Sequence, residues 1–147
     1  MSSRTEKAAA LFAAGCNCSQ AVVVAFSDLF GLDEKTAMKF SCGHGAGLGR
    51  QREVCGAVSG MAMLAGLKHG SERPDDREAK ARTYEAVQAL SRAFRDKHGS
   101  IICRDLLGLE GADSDPTPAP RTADYYRKRP CAEYVRDAAA LVEQTLL

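Results

Sequence analysis

The sequence predicts an all-α protein, a single-domain helical bundle of about five to seven helices that spans residues 1–147. Several stretches repeat apolar side chains at helical spacing, and glycines or capping residues separate them. The chain has no Trp and only 6% aromatic residues, which disfavours a β-sandwich. Its length of 147 residues corresponds to about one domain, and no internal repeat or break in composition divides it.

Three helices are expected in the first part of the chain, over residues 4–14, 18–30 and 33–40. Gly15 and Gly31 end the first two, because glycine readily adopts the left-handed conformation found at helix C-termini. Asn17 and Asp33 are the expected N-caps of the second and third, since their side-chain oxygens accept hydrogen bonds from unpaired backbone N–H groups. Residues 42–50 then form a loop in which glycine alternates with other residues.

Four further helices are expected, over residues 52–68, 76–97, 103–107 and 130–146. The first of these is apolar nearly all round, which predicts a central position in the bundle. The second has a predicted core face made of Tyr84, Val87, Leu90, Ser91 and Phe94. Residues 110–121 contain three prolines and no large apolar residue, so we expect an exposed loop there. Pro130 is expected at the first position of the last helix.

Charge and hydropathy exclude two classes of protein. The 20 Lys and Arg residues are nearly balanced by 19 Asp and Glu residues, which argues against a nucleic-acid-binding domain. No apolar run approaches the roughly 18 residues of a membrane helix, so no membrane insertion is expected. The apolar stretch at residues 8–14, before Cys16, resembles a signal peptide but is short and follows Glu6. We therefore expect a cytoplasmic protein with reduced thiols.

The cysteine content is the unusual feature of the composition. There are six cysteines, at positions 16, 18, 42, 55, 103 and 131. They amount to about 4% of the chain, below the roughly 8–10% of a disulfide scaffold. No pair has the C-x-x-C spacing of a zinc ribbon, a thioredoxin motif or a ferredoxin. Any site that several of them share must therefore be assembled by the fold.

Four of the cysteines fall at or near predicted helix starts: Cys18, Cys55, Cys103 and Cys131. A helix N-terminus carries partial positive charge and unpaired N–H groups, which stabilise a thiolate and lower the cysteine pKa. If these helix starts converge, the four sulfurs form a single reactive site. The alternative is that they are small buried hydrophobic residues, whose replacement would change only stability.

The motifs around these cysteines carry a family resemblance. Residues 54–60 read V-C-G-A-V-S-G and contain the pattern C-G-A-x-x-G. Residues 15–21 read G-C-N-C-S-Q-A, and the single cysteines Cys103 and Cys131 follow downstream. This ordered set resembles the C_GCAxxG_C_C family of putative redox-active proteins, over about residues 8–142.

The resemblance implies four key cysteines and a redox role without a settled substrate. The implied residues are Cys18, Cys55, Cys103 and Cys131. A similar four-cysteine domain accompanies an iron–sulfur centre in a multihaem cytochrome. This chain departs from the pattern at Cys16, where an aromatic residue is usual, and at Cys42, where glycine is usual. The roles of these two extra thiols stay open.

Two chemical functions are therefore open. The first is thiol–disulfide exchange, as in a thiol oxidoreductase, where one thiolate attacks and a second resolves. Cys55 is the expected attacking group, because it opens an apolar helix behind a glycine-rich loop that could admit a substrate. Its partner would be a redox protein or a small thiol or disulfide. A homodimer is compatible with the composition, although no heptad pattern predicts one.

The second function is metal binding. Four thiolates suit zinc or an iron–sulfur cluster, and the ligands would again be Cys18, Cys55, Cys103 and Cys131. The two functions differ in geometry, since disulfide partners need only approach in pairs, whereas a metal centre needs several sulfurs around one point.

The glycine-rich loop and a short basic run add weaker hypotheses. The loop does not have the spacing of a dinucleotide-binding or P-loop motif. Its successive N–H groups, together with Arg50 and Arg52, could hold an anion. His44, two residues after Cys42, could complete a Cys/His metal site. The basic run at residues 127–129 is either a solvated face or a means of holding nearby thiols as thiolates.

Overall fold

A computed structural model describes residues 3–109 and 115–147, and it confirms the all-α class. The structure is 70% helical and contains no strand in this part of the chain. Its helices are α1 (Ser3–Ala13), α2 (Cys18–Phe26), α3 (Glu34–Cys42), α4 (Gly45–Leu48), α5 (Gly56–His69), α6 (Arg77–His98), α7 (Cys103–Leu106), α8 (Ala123–Lys128) and α9 (Cys131–Leu146). Six of them have seven or more residues, which agrees with the predicted number. No helix in the described residues combines the length and apolar character needed to cross a membrane.

The predicted helix ends of the first part are largely confirmed. Asn17 forms a capping box, since its Oδ1 accepts from Gln20 N at 2.9 Å and its own N–H donates to Gln20 Oε1 at 3.0 Å. Asp33 caps α3 by accepting from Thr36 N at 3.0 Å. Gly15 and Gly31 have φ angles of 115° and 72°, as expected for residues that end helices. The second helix ends earlier than predicted, because residues 27–30 form a 3₁₀ turn.

Several boundaries in the rest of the chain were predicted wrongly. α3 continues to Cys42, and α5 begins at Gly56 rather than at residue 52, which makes Cys55 its N-cap. Helix α8 was missed, because six residues are too few to show an apolar period. Residues 110–114 of the predicted loop 110–121 lie outside the described residues, and 115–121 form no helix.

The core surrounds α5, which packs against α2, α6 and α9 as its apolar character predicted. On α6, Ala86, Leu90 and Phe94 are buried at a spacing of four residues. Tyr84 is 61% exposed, so its assignment to the core face was wrong. It lies six residues before Leu90, which places it about 240° around the helix axis from that residue.

Gly60 and Gly66 make a matched pair for testing how closely α5 approaches α2. A Cβ atom at Gly60 would lie 3.0 Å from Val22 Cβ, whereas one at Gly66 would have no neighbour within 4 Å. We expect Gly60→Ala to lower the free energy of unfolding by about 1–2 kcal/mol through overpacking. Gly66→Ala should raise it by about 0.5–1 kcal/mol, because alanine is the better helix former. Urea unfolding measures both, and equal effects would contradict the close approach.

Candidate functional site

The four predicted cysteines all stand at helix starts and line one cavity. Cys18, Cys103 and Cys131 are the first residues of α2, α7 and α9, and Cys55 is the N-cap of α5. All four are buried free thiols. The cavity has a volume of about 340 Å³, and Cys42 also lines it. We call this space, defined by its five cysteines, the cysteine cavity.

A single antiparallel bridge brings two of these helix starts together. Val54 and Ile102 form this isolated bridge. On either side of it, Cys55 N donates to Ile101 O at 2.8 Å, and Cys103 N donates to Glu53 O at 2.6 Å. The starts of α5 and α7 therefore lie side by side, although the two cysteines are 48 positions apart along the chain.

A left-handed turn forms the wall beside Cys103. Positive φ angles run through Ala46, Gly47, Leu48, Gly49 and Arg50 and recur at Arg52. Glu53 N closes the turn by donating to Gly47 O at 3.0 Å. A Cβ atom on Gly47 would lie 2.7 Å from Cys103 Cβ, so only glycine allows this wall to approach the cysteine. Non-glycine residues share this left-handed conformation at Ala46, Leu48, Arg50 and Arg52.

A second close approach joins the starts of α2 and α5. A Cβ atom on Gly56 would lie 3.3 Å from Cys18 Cβ and 3.0 Å from His44 O. The glycine after Cys55 therefore lets the backbone of α5 lie against Cys18. These contacts explain how three cysteines distant in sequence reach the same cavity.

The thiols of Cys18 and Cys131 lie close enough that each shifts the pKa of the other. The hydrogen-bonding interaction between the two thiols lowers the pKa of Cys131 and raises the pKa of Cys18 well above the usual value. The positive charges of Arg129, Arg52 and Arg121 lower the pKa of Cys131 further, against the opposing effect of burial. Cys131 is thus the thiol of this pair that ionises first.

Burial governs the other two helix-start cysteines. It raises the pKa of Cys55 to about 12, although the N–H groups of Ala57 and Val58 favour its thiolate. It also raises the pKa of Cys103, which Arg52 opposes through Nη1, 3.7 Å from Cys103 Sγ. At these two positions, the expectation that a helix start lowers the pKa fails, because desolvation disfavours the charged sulfur more strongly.

The two extra cysteines differ in their surroundings. Cys42, the last residue of α3, is exposed at the wall of the cysteine cavity. Cys16 is half-buried and does not line the cavity, and its Sγ lies 3.8 Å from Met38 Sδ. Burial raises the pKa of Cys16. His44 lines a separate shallow groove, so Cys42 and His44 do not face the same cavity.

Thiols are suitable donors for zinc or an iron–sulfur cluster, as the second hypothesis from the sequence requires. Within residues 3–109 and 115–147, no group of three or more His, Cys, Asp or Glu side chains is placed to hold a metal ion.

Arginines supply the charge of the cysteine cavity. Those that line it are Arg50, Arg52, Arg121 and Arg129, and no Asp or Glu among the described residues lines it. The sequence had suggested roles for all of these except Arg121, which follows a proline-rich stretch without a motif. Arg121 donates to Phe12 O at 3.1 Å and to Cys16 O at 2.9 Å, and it stacks over Tyr125.

Comparison with protein families gives one match. The model of the C_GCAxxG_C_C family, described as a putative redox-active protein, matches residues 16–145. The chain belongs to this family. The region that matches the C_GCAxxG_C_C model contains all six cysteines and every residue that lines the cysteine cavity except Phe12. No curated protein and no solved structure was found to match the chain. The C_GCAxxG_C_C description gives a redox role and specifies neither substrate nor metal.

Proposed function

We propose that this protein carries out thiol–disulfide exchange, with Cys131 as the attacking thiolate and Cys18 as the resolving thiol. The observation that carries this proposal is that the two thiols stand at the starts of α2 and α9 and line the same cavity. One thiol of this pair has a lowered pKa and the other a raised pKa. A dithiol needs this asymmetry, because the attacking sulfur must be ionised while its partner keeps a proton for the leaving group.

The reaction can be written with the chain's own groups. Cys131 Sγ⁻ attacks one sulfur of a disulfide R–S–S–R, forming a mixed disulfide and releasing R–S⁻, which takes the proton of Cys18. The Cys18 thiolate then attacks Cys131 Sγ and releases the second R–S⁻, which is protonated by water. Two electrons pass from the protein dithiol to the substrate, and Cys18 and Cys131 become disulfide-bonded. A dithiol reductant returns the pair to its starting state.

This assignment moves the attacking role from Cys55, which the sequence favoured, to Cys131. With a pKa of about 12, Cys55 is thiolate in roughly one molecule in 10⁵ at pH 7. Its place behind the glycine-rich loop gives access to the cavity, but access does not compensate for so small an ionised fraction. In this proposal, Cys55 and Cys103 are buried residues that line the cavity and do not react.

Mild oxidation of anaerobically purified protein tests the proposed pair. We expect the free-thiol count to fall by two and to recover with dithiothreitol. Peptide mapping should identify a bond between Cys18 and Cys131, because the two thiols line the same cavity and each shifts the pKa of the other. A Cys42→Ala variant serves as the background, since it removes the one exposed cysteine among the six, the thiol most open to intermolecular disulfide formation.

Two outcomes would contradict the proposal. One is an intramolecular bond that joins other cysteines, such as Cys55 and Cys103. The other is stoichiometric zinc, or iron with acid-labile sulfide, in the same anaerobic sample. That result would make the cysteines metal ligands, as in the second hypothesis from the sequence.

A further inference from the structure

Building on the proposed exchange reaction, we infer that its substrate is a small anionic disulfide, whose negative group is held by Arg52 in the cysteine cavity. The inference depends on the state of the Arg52 side chain, on the distribution of charge around the cavity and on the cavity's size. Each of these points to a ligand that carries a carboxylate or a similar anion.

Arg52 is a buried arginine with unused hydrogen-bonding capacity. Only 4% of the residue is exposed, and its Nε atom has no hydrogen-bond partner in the structure. Its Nη1 atom donates only to a sulfur, Cys103 Sγ, at 3.7 Å. A buried N–H without a partner destabilises the protein, and that cost disappears when an acceptor binds to it.

The backbone conformation of Arg52 indicates that its side chain has a functional role. Its φ of 63° is in the left-handed region, which non-glycine residues rarely adopt. The neighbouring backbone fixes that conformation, since Arg52 N donates to Ala46 O at 3.3 Å and Arg52 O accepts from Arg104 N at 3.1 Å. Strained residues held in this way concentrate at binding and catalytic sites.

The charges around the cavity select the sign of the ligand. The nearest carboxylate in sequence, Glu53, lies outside the cavity lining and pairs with Arg104 at 3.0 Å. Arg121 is occupied by the carbonyl oxygens of Phe12 and Cys16. Arg52, with Arg129 over the Tyr125 ring, therefore supplies positive charge that no carboxylate in the described cavity lining neutralises. The Cys131 thiolate offsets only one of these two charges. Guanidinium groups bind carboxylates in particular, because their N–H groups match the two oxygens.

The size and walls of the cavity limit the ligand to a small molecule. A volume of about 340 Å³ is at the lower end of the range for small-molecule sites. Leu106, Leu107 and Pro118 give it apolar walls, which suit the methylene groups and sulfurs of a short disulfide. A disulfide with a carboxylate at its end can place that group on Arg52 and its S–S bond among the cysteines.

Three small disulfides of different charge test this inference. They are 3,3′-dithiodipropionate, a dianion, bis(2-hydroxyethyl) disulfide, which is neutral, and cystamine, a dication. For each disulfide we would measure the rate of thiol loss from the reduced protein. We would divide it by the rate at which the same disulfide reacts with the neutral thiol 2-mercaptoethanol, which corrects for the disulfide's own reactivity. The dianion should then be about 10- to 100-fold faster than the neutral disulfide, as expected for one hydrogen bond between charged groups. The dication should be slowest.

Arg52→Gln should remove the advantage of the dianion over the neutral disulfide. The rates with both disulfides should also fall, because Arg52 lowers the pKa of Cys131, so the readout is the ratio of the two rates. Arg52→Lys should restore part of the advantage. Arg127→Gln is the matched control, because Arg127 lies outside the cavity lining and pairs with Asp124, yet its loss changes the net charge equally. If Arg52 variants fail to fold, inhibition of the wild-type reaction by adipate, a dianion without sulfur, tests the same site.

The outcomes separate this inference from the exchange reaction itself. Equal normalised rates for the three disulfides would overturn the anionic substrate and leave the exchange intact. The inference would also be overturned if Arg127→Gln removed the dianion's rate advantage as fully as Arg52→Gln does. That advantage would then come from the protein's overall charge. If no disulfide consumes two thiols, the exchange reaction is wrong and this inference fails with it.

Discussion

Replacing Cys131 with Ser should lower the rate of reaction with small disulfides at pH 7 by about 100-fold or more. The variant loses the helix-start thiol whose pKa lies below the usual value, and burial keeps the Cys55 and Cys103 sulfurs protonated. The measurement is thiol consumption in a Cys42→Ala background, which removes the exposed cysteine. Cys55→Ser in the same background is the matched control and should retain most of the rate.

The pH dependence of the reaction rate also tests whether Cys131 is the attacking sulfur. In the parent protein the rate should rise with pH through the pKa of Cys131, in a range below that of an ordinary cysteine, because only the thiolate attacks. Cys18→Ala removes the S–H that stabilises this thiolate, so the rise should move to higher pH. The mixed disulfide should also accumulate on Cys131, since no resolving thiol remains. A rate that depends on Cys55 and not on Cys131 would restore the role that the sequence suggested.

Gly47→Ala should be among the most damaging single substitutions in the site. Gly47 has a φ of 70°, and an added Cβ would lie 2.7 Å from both Cys103 Cβ and Glu53 N. We expect a loss of about 2–4 kcal/mol in the free energy of unfolding, which combines backbone strain with overpacking. Urea unfolding measures the loss, and alkylation of Cys103 should become faster as the wall moves away.

Gly49→Ala is the control for this change. Gly49 also has a positive φ, of 60°, but the nearest atom to an added Cβ is Gly43 O at 3.7 Å. This variant should therefore show only the cost of the left-handed conformation, about 1–2 kcal/mol. Similar losses for the two variants would mean that Gly47 does not press against Cys103, and the described wall of the cavity would be incorrect.

Local signals allowed much of the fold to be predicted. Asn17, Asp33 and the glycines after α1 and α2 affect helix ends that lie within a few residues of them in the sequence. Their effects can therefore be predicted from the local sequence. The four cysteines at helix starts were visible for the same reason. Tyr84 was misassigned because residues at spacings of three and four cover a wide face of a helix. Tertiary packing decides which side of that face is buried.

Pairing within the site could not be predicted, because it depends on contacts between distant segments. Cys18 and Cys131 are 113 positions apart in the sequence, and nothing near either residue indicates its partner. Helix-start effects on pKa were expected to be alike for all four cysteines. The differences come from burial and from Arg52 and Arg129, which only the folded chain brings close.

The interaction between the Cys18 and Cys131 thiols joins α2 to α9. A ribosome-bound nascent chain that has not yet completed α9 cannot form it, and neither can an unfolded chain. In those states Cys131 lacks both its S–H donor and its surrounding arginines, so its sulfur ionises as an ordinary cysteine does. The low-pKa thiol therefore arises only after α9 has packed against α2, so a partly folded chain lacks the proposed attacking group.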